Sequence, residues 1–232
     1  KAGEEHSWAR YIGNSEQTIE QVNRRDLTGL AGLLGYTIPL EDGQHRLPWP
    51  ENDLPLFAHW LNANPNVARS ELGVDGHPVR GGFIPDFALP RRMWAGSQVS
   101  VHAPYGVGQP MTHRKSIASI TPKTGRSGSM IFVSLLHEFH VDRRLVVKEV
   151  QSLVYREAAA AAAQAPKVRA AEEIRALFDY DWCEVVSPDP VWLFHYSAVS
   201  FNAHRIHFDR EYATGQEHYP GLLVHGPLCA TL

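Results

Sequence analysis

Residues 124–155 read TGRSGSMIFVSLLHEFHVDRRLVVKEVQSLVY and carry the pattern of a β-sheet. Met130 to Phe139 is an apolar run, and Val146 to Tyr155 alternates between apolar and polar residues, which is the period of a strand with one buried face. The glycines of Thr124–Gly128 are typical of a hairpin connection. This part of the sequence therefore predicts consecutive antiparallel strands joined by hairpins.

The sequence just before this region predicts one more strand and a long irregular segment. Val99, Val101 and Ala103 alternate with polar residues, which again is the period of a strand. Residues 73–96 are rich in Gly, Pro and Arg. That composition predicts irregular backbone around a turn or a pocket wall.

Two helices are predicted nearer the N-terminus. Asn23 has the side chain of an N-cap for a helix over residues 24–34, and Gly35 follows it as a stop signal. Asp53 is a candidate cap for a second helix over residues 54–62, which carries an apolar stripe. Helices followed by consecutive hairpin strands imply an α+β fold with helices on one face of an antiparallel sheet.

The last third of the chain differs in composition. Residues 158–163 are an unbroken alanine run. Because alanine favours helix but offers no side chains for a core, we expect residues 158–183 to connect two domains, with a helix packed on the domain surface as the alternative. Residues 191–199 are predicted as a strand. Residues 221–232 are typical of the opening of an apolar helix with Pro227 in its first turn. Because the sequence offers nothing after this helix to cover its apolar side chains, we expect an incomplete second domain.

Composition and charge exclude several classes of protein. The chain has 232 residues, with 22 Lys and Arg against 25 Asp and Glu and a formal net charge of -3. This charge gives no reason to expect binding to nucleic acid or to an anionic membrane. No apolar run reaches the ~18 residues that a membrane-spanning helix needs. Cys183 and Cys229 are too few for a disulfide framework, so we expect a soluble protein of a reducing, cytoplasmic compartment.

The densest cluster of reactive side chains lies in residues 196–213 (YSAVSFNAHRIHFDREYA) and residues 219–226 (YPGLLVHG). These segments resemble the active-site motif of the MaoC-like hydratase and dehydratase family of hot-dog folds. The resemblance implies that His207 is the catalytic histidine. It also implies that Asn202 stands where simpler family members have a catalytic Asp, and that Gly226 supplies the oxyanion-binding backbone amide.

The resemblance extends to residues 76–83 (GHPVRGGF), 89–96 (LPRRMWAG) and 125–128 (GRSG). They are similar to the first half of double hot-dog enzymes in the mesaconyl-CoA and itaconyl-CoA hydratase branch. In that branch a degenerate first half shapes the acyl pocket, and the second half carries the catalytic motif. The resemblance implies an α+β double hot-dog, in which an antiparallel sheet wraps a central helix. Its parts would be an N-terminal hot-dog over residues 1–157, the connector over 158–183 and a partial catalytic hot-dog over 184–232.

The chemistry of water addition explains these residue types. Adding water to a double bond conjugated to a thioester needs a base for the water, a proton for the adjacent carbon and a donor to the enolate oxygen. Imidazole, with an ordinary pKa of about 6.5, suits His207 to both proton transfers, and the N–H of Gly226 at a helix start suits the oxygen. Asn202 can orient water but cannot accept its proton. We interpret this Asn as a feature of the branch, against the alternatives of slower turnover, altered proton routing or none.

The remaining predicted site residues bind substrate. Arg91, Arg92 and Arg205 are candidates for the phosphates of CoA because the Arg fork matches phosphate geometry, with simple solvent exposure as the alternative for each. Trp94 and His225 complete the predicted substrate-binding set. The histidines of this region have neither a thiolate pair nor a His-Glu-x-x-His spacing, so no metal site is predicted. No cofactor is expected besides the CoA thioester that serves as substrate.

The resemblance implies a hydro-lyase that reversibly hydrates a short branched or dicarboxylic enoyl-CoA, such as mesaconyl-CoA or itaconyl-CoA. The alternatives are a 3-hydroxyacyl-thioester dehydratase of fatty-acid or polyketide metabolism and a non-catalytic acyl-thioester-binding module. A dicarboxylate demands a cationic group in the acyl pocket, whereas a fatty chain demands an apolar tunnel. The expected partner is the acyl-CoA substrate, without nucleic acid or membrane, and a homodimer of the double unit is compatible with the resemblance.

Overall fold

The computed structural model describes residues 8–64, 66–125, 128–158, 173 and 181–232. Its main strands are β1 (Ser15–Gln21), β4 (Arg91–Val101), β5 (Pro110–Gly125), β6 (Gly128–Val141) and β7 (Arg144–Arg156). Within the described residues they form one five-stranded antiparallel sheet in the order β1-β5-β6-β7-β4. A short ribbon of β2 (Leu40–Glu41) and β3 (Gln44–His45) lies outside this sheet.

The strands predicted around the central hairpins are confirmed. Along β6, buried and half-buried positions alternate, as the period of two requires. Asp142 and Arg143 join β6 to β7 with φ values of 50° and 65°, the left-handed pair that a two-residue hairpin turn needs. At the other end of β6, Gly125 pairs with Gly128, and the two residues between them lie outside the described ranges.

The first predicted helix is confirmed and the second is wrong. Helix α1 (Arg24–Leu33) begins at Asn23, whose Oδ1 accepts a hydrogen bond from the Arg25 amide at 2.9 Å. The second segment forms only a 3-10 helix over Ala58–Asn62. Pro55 disfavours helical geometry at the residue before it, and Phe57 has φ of 70°, so a continuous helix over residues 54–62 is interrupted twice.

Two further predictions are corrected. Residues 191–199 form helix α2 (Pro190–Val199), not a strand, because Asp189 accepts from the Trp192 amide at 2.8 Å and Pro190 fits the first turn. An apolar run of this length has no period that separates helix from strand. Residues 91–96, predicted as irregular, begin strand β4, whose pairing with β7 shifts register between Trp94 and Gly96.

The remaining helices are short and lie near the C-terminus. They are α3 (Arg210–Gly215) and α4 (Gly226–Thr231), and α4 has Pro227 in its first turn as predicted. A buried cluster holds α1, α2 and α4 together through Leu30, Leu33, Leu193, Tyr196 and Leu228. Two other clusters cover the sheet. The predicted α+β class is therefore confirmed.

The predicted connector, residues 158–183, lies almost entirely outside the described residues, so its prediction is untested. Among residues 181–232 the structure contains helices and loops and no strand. None of the helices in the described part of the chain has the length and apolar character of a membrane-spanning segment. Cys183 and Cys229 are both free thiols.

Candidate active site

A cavity of about 290 Å³ lies between the inner face of β4 and β7 and the C-terminal loops. Its lining includes three predicted catalytic residues and two predicted substrate-binding residues: Asn202, His207, Gly226, Arg92 and Trp94. The lining also includes Trp60, Gln151, Tyr196, Ser200 and Tyr219, which the sequence did not identify. One cavity thus brings together residues that are up to 167 positions apart, from Trp60 to Pro227.

His207 ends a short 3-10 helix over Arg205–His207 and is buried. Its Nδ1 lies 2.8 Å from the carbonyl oxygen of Leu223. Because a carbonyl only accepts, Nδ1 must carry the proton, which leaves the lone pair of Nε2 available as a base. Burial is the main cause that lowers the pKa of His207 to about 4; the hydrogen bond to Leu223 opposes this shift, and the charge of His77 adds to it. The imidazole is therefore neutral at neutral pH.

His225 lies behind His207 and does not line the cavity. Their rings stack with centroids 3.7 Å apart. Nε2 of His225 lies 2.8 Å from the Ser197 hydroxyl, and Nδ1 is buried without a hydrogen-bond partner among the described residues. Burial lowers the pKa of His225, and so does the neighbouring charge of His207 when that ring is protonated. This arrangement suits His225 to support His207.

Gly226 meets the ring of Trp94. A Cβ at position 226 would lie 2.2 Å from Cε3 of Trp94, so no larger residue fits without moving the indole. Within the described residues, no acceptor forms a hydrogen bond with the Gly226 N–H. Because Gly226 lines the cavity and its amide is unpaired among the described residues, it can donate to a ligand there.

Asn202 follows Phe201, which has φ of 50°, in the loop after α2. The Oδ1 of Asn202 accepts a hydrogen bond from the His204 amide at 3.0 Å, which fixes the side chain across the turn. With Oδ1 engaged, Nδ2 remains as a donor on this cavity-lining residue. An Asn in this position can hold a water oxygen and cannot take its proton.

A turn from the N-terminal region supports this loop. Gly76 has φ of 86°, and a Cβ there would lie 1.8 Å from the carbonyl oxygen of Ala203. The Arg205 amide donates to the Asp75 carbonyl at 3.0 Å, and the ring centroids of His77 and His204 lie 4.1 Å apart. Sequence reasoning assigned no supporting role to this turn, although Gly76–Pro78 belonged to the family resemblance.

The predicted arginines differ in their surroundings. Arg91 pairs with Glu217 at 2.9 Å and donates to the Tyr219 hydroxyl, and Arg205 pairs with Asp209 at 2.7 Å. Neither Arg91 nor Arg205 lines the cavity, so their role at CoA phosphates stays a prediction. Arg92 lines the cavity and has no ion-pair or hydrogen-bond partner among the described residues.

A buried carboxylate holds two indoles of the cavity wall. Glu149 accepts from Trp60 Nε1 at 2.9 Å and from the Ser97 hydroxyl, which in turn accepts from Trp94 Nε1 at 3.1 Å. Burial would raise the pKa of Glu149, but hydrogen bonds from His59 and Ser97 and the charges of His59 and His137 together lower it to about 2. Glu149 therefore remains charged inside the sheet.

In the part of the chain that the structure describes, no group of three or more His, Cys, Asp or Glu side chains has the arrangement of a metal site. Asp75 Oδ2 lies 3.1 Å from His77 Nδ1, and the His77 ring packs against the ring of His204. Hydrogen bonds and charge from His77 lower the pKa of Asp75 although burial opposes them.

Comparison with known proteins places this geometry in a family. The profile of the family described as hydroxyacyl-thioester dehydratase type 2 matches residues 57–232, well over half of the chain. The chain belongs to the hydroxyacyl-thioester dehydratase type 2 family. A member of this family is an enzyme of the hydratase and dehydratase type, a hydro-lyase, so the predicted enzyme class is confirmed.

Relatives of this dehydratase family member extend the match to nearly the whole chain. It is 40% identical over 225 residues to mesaconyl-C(4)-CoA hydratase of Chloroflexus aurantiacus. The alignment covers 97% of this chain and 76% of that protein. A 47-residue segment is 51% identical to the mitochondrial hydroxyacyl-thioester dehydratase type 2 of Schizosaccharomyces pombe, covering 20% of this chain and 16% of that protein. The predicted resemblance to the MaoC-like family is thereby confirmed.

Solved structures agree on the fold. HtdX of Mycobacterium tuberculosis has a TM-score of 0.59 at 16% identity, covering 94% of this chain and 73% of that one. A MaoC-like dehydratase from Phytophthora capsici has a TM-score of 0.56 at 18% identity, covering 94% and 71%. The predicted double hot-dog class of this family member is confirmed by these matches.

Proposed function

We propose that this hydro-lyase reversibly adds water to the double bond of a short branched or dicarboxylic enoyl-CoA of the mesaconyl-CoA or itaconyl-CoA kind. The observation that carries the proposal is the shared cavity of His207, with its free Nε2, and Gly226, with its unpaired N–H. The similarity to mesaconyl-C(4)-CoA hydratase supports the choice of substrate class.

In the proposed reaction, Asn202 Nδ2 donates to the water oxygen and His207 Nε2 takes one proton from that water. The hydroxide oxygen bonds to the β-carbon, the π electrons move to the thioester oxygen, and the Gly226 N–H stabilises the resulting enolate. His207 then returns its proton to the α-carbon and is neutral again. A donor of this kind contributes about 10²–10³ in rate.

We also propose how the chain divides its tasks. Residues 1–157 would form the hot-dog half that shapes the acyl pocket, residues 158–183 a connector, and residues 184–232 the catalytic half. The inner face of β4 and β7 supplies Arg92, Trp94 and Gln151 to the cavity, while the C-terminal loops supply Asn202 and His207. Reactive groups and pocket walls therefore come from different parts of the chain.

A spectrophotometric screen tests the activity. Purified protein is mixed with crotonyl-CoA, mesaconyl-CoA and itaconyl-CoA, and the loss of conjugated thioester absorbance is followed. We expect turnover of at least one ester. Absence of turnover with all three would contradict the hydratase proposal and favour a non-catalytic thioester-binding module, which Asn202 in place of the family Asp also favours.

The second candidate function is dehydration of longer 3-hydroxyacyl thioesters, carried by CoA or acyl carrier protein. The description of the matched family favours it. The screen separates the two when 3-hydroxyacyl esters of increasing chain length are included, because a dehydratase of long acyl chains should turn over the longer esters faster and a hydratase of short acids should not.

The variant His207→Ala tests the acid-base group. We expect kcat to fall by about 10²-fold or more, with little change in binding of a saturated CoA ester measured by calorimetry. Because His225 stacks on His207, the circular dichroism spectrum of the variant is the control for folding. Equal turnover in wild type and variant would reject His207 in this role.

A further inference from the structure

A second cavity, of about 340 Å³, adjoins the first. The two cavities share the lining residues Ala63, Asn64, Arg92 and Gln151. The second cavity lies on the sheet, where β5, β6 and β7 contribute Lys115, Leu135, His137, Gln151 and Tyr155. A substrate held near His207 and extending past Arg92 therefore enters it.

The strand register gathers polar side chains on this face. Arg92 of β4 lies directly opposite Tyr155 of β7, and Lys115 of β5 lies directly opposite His137 of β6. Directly opposed residues of antiparallel strands share a face, and the face that packs on a core is normally apolar. Polar residues at these positions indicate that this part of the inner face binds a polar group.

Two buried polar atoms in this cavity have no partner. The Tyr155 side chain is 1% exposed and its hydroxyl has no hydrogen bond, and His137 is 4% exposed with no partner for Nε2, in the part of the chain that the structure describes. Native proteins pair nearly all buried polar groups, because an unpaired one costs folding free energy. The unpaired Tyr155 hydroxyl, on the strand position opposite Arg92, points to a ligand that satisfies it, whereas His137 lies six positions farther along β6 and is a separate group.

Arg92 provides the charge that selects this ligand. The other two cations of the cavity are engaged: Lys115 pairs with Glu16 at 3.0 Å, and Arg80 donates to the Leu89 carbonyl at 2.8 Å. Arg92 is half-buried and has no such partner among the described residues. The carboxylates of this lining, Glu16 and Glu71, are exposed. The buried Glu149 lies opposite His137 and already accepts hydrogen bonds from Trp60 and Ser97.

We propose that Arg92 and Tyr155, which lie directly opposite each other on β4 and β7, form a subsite for a free carboxylate on the acyl group. This inference rests on the proposed function and narrows its substrates to enoyl-CoA esters of dicarboxylic acids. Arg92 supplies a charge-assisted hydrogen bond, and the Tyr155 hydroxyl donates a second.

Two substrates that differ in one group test this subsite. Mesaconyl-C4-CoA carries a carboxylate where 3-methylcrotonyl-CoA carries a methyl group. We expect the ratio of their kcat/KM values to fall about tenfold or more in Arg92→Met and about fivefold in Tyr155→Phe. Because the Tyr155 hydroxyl has no partner within the described protein, its removal leaves no protein group unpaired and the variant should fold.

The matched control is Tyr105→Phe. Tyr105 also has a buried hydroxyl without a partner among the described residues, and it lines neither of the two cavities. We expect the substrate ratio of this variant to equal that of the wild type. An equal fall of the ratio in Tyr105→Phe and Tyr155→Phe would overturn the assignment of Tyr155.

Calorimetry with saturated esters separates this inference from the proposed function, because binding needs no turnover. We expect wild type to bind succinyl-CoA more tightly than butyryl-CoA, and Arg92→Met to lose that preference. The preference, if found without turnover of any enoyl-CoA, supports the subsite and rejects only the hydratase proposal. A parallel loss of affinity for both esters would assign Arg92 to the phosphates of CoA or to the scaffold and overturn the subsite.

Discussion

At the scale of single residues, the site depends on two histidines that stack 3.7 Å apart and have different surroundings. His207 lines the cavity and donates from Nδ1 to a backbone carbonyl, whereas His225 is fully buried beside Ser197. A buried imidazole favours its neutral form, since the charged form loses its hydration. Burial thus keeps His207 neutral and ready to act as a base. The ring donates a proton only after it has taken one from water during turnover.

The pKa of His207 predicts the pH profile of hydration. Only the neutral ring accepts a proton from water, and burial lowers its pKa from the ordinary 6.5 to about 4. We therefore expect kcat/KM to stay level from neutral pH down to about pH 5 and to fall about tenfold per unit below the pKa. Initial rates with the ester that the screen shows to be turned over fastest, checked by circular dichroism at each pH, measure this. A decline that begins near pH 6.5 would contradict it.

At the scale of elements, strand β7 connects the core of the sheet to the cavity wall. Glu149, 1% exposed, receives hydrogen bonds from Trp60 and, through Ser97, orders the indole of Trp94. A buried charge is tolerated when several donors satisfy it, and removal of such a bond costs about 1.5–3 kcal/mol. The same carboxylate therefore contributes to stability and to the shape of the site.

The variant Glu149→Gln tests this network. We expect the free energy of unfolding at pH 7 to fall by about 2 kcal/mol, with Glu138→Gln on the opposite face as a control that changes little. Because the folded state lowers the pKa of Glu149 from 4.5 to about 2, its contribution is present above pH 4.5 and is lost as the pH falls towards 2. Urea unfolding of wild type and Glu149→Gln at both ends of this pH range measures the difference in their free energies of unfolding. A difference that does not change with pH would argue against a charged Glu149.

The sequence predicted the strands and the catalytic groups better than it predicted the helices and the residues behind the cavity wall. An apolar run located β6, the period of two located β7, and the motif around His207 located three groups that share a cavity. Periodicity failed for α2, where an apolar run carried no period and only the Asp189 cap distinguished helix from strand. Glu149 and Tyr155 sit in ordinary strand positions, so their roles became visible only from the pairing of β7 with β4 and β6.

At the scale of the whole molecule, a turn near position 76 and the loop near position 203 fit together without room for another atom. The Cβ position of Gly76 lies 1.8 Å from the carbonyl oxygen of Ala203, and Arg205 hydrogen-bonds with the same turn. Segments far apart in sequence therefore determine together where Asn202 and His207 lie.

Two single substitutions of glycine by alanine separate the effect of this close contact from the effect of backbone strain. Gly43 and Gly76 have similar φ values, 78° and 86°, but a Cβ at Gly43 would meet nothing within 4 Å. We expect Gly43→Ala to cost about 1–2 kcal/mol through backbone strain alone, and Gly76→Ala to cost more and to lower kcat for hydration. Thermal unfolding and initial rates measure both effects. Equal stability and equal activity of the two variants would show that the contact does not order the loop.

The contact between Trp94 and Gly226 has an optical consequence. An indole that lies against Gly226, whose amide is expected to hold the thioester, gives the protein its own reporter of occupancy. A ligand that enters beside Trp94 changes the polarity around a fluorophore, so its emission should shift or be quenched as the cavity fills. Affinities of unreactive thioesters then become accessible by titration without any label.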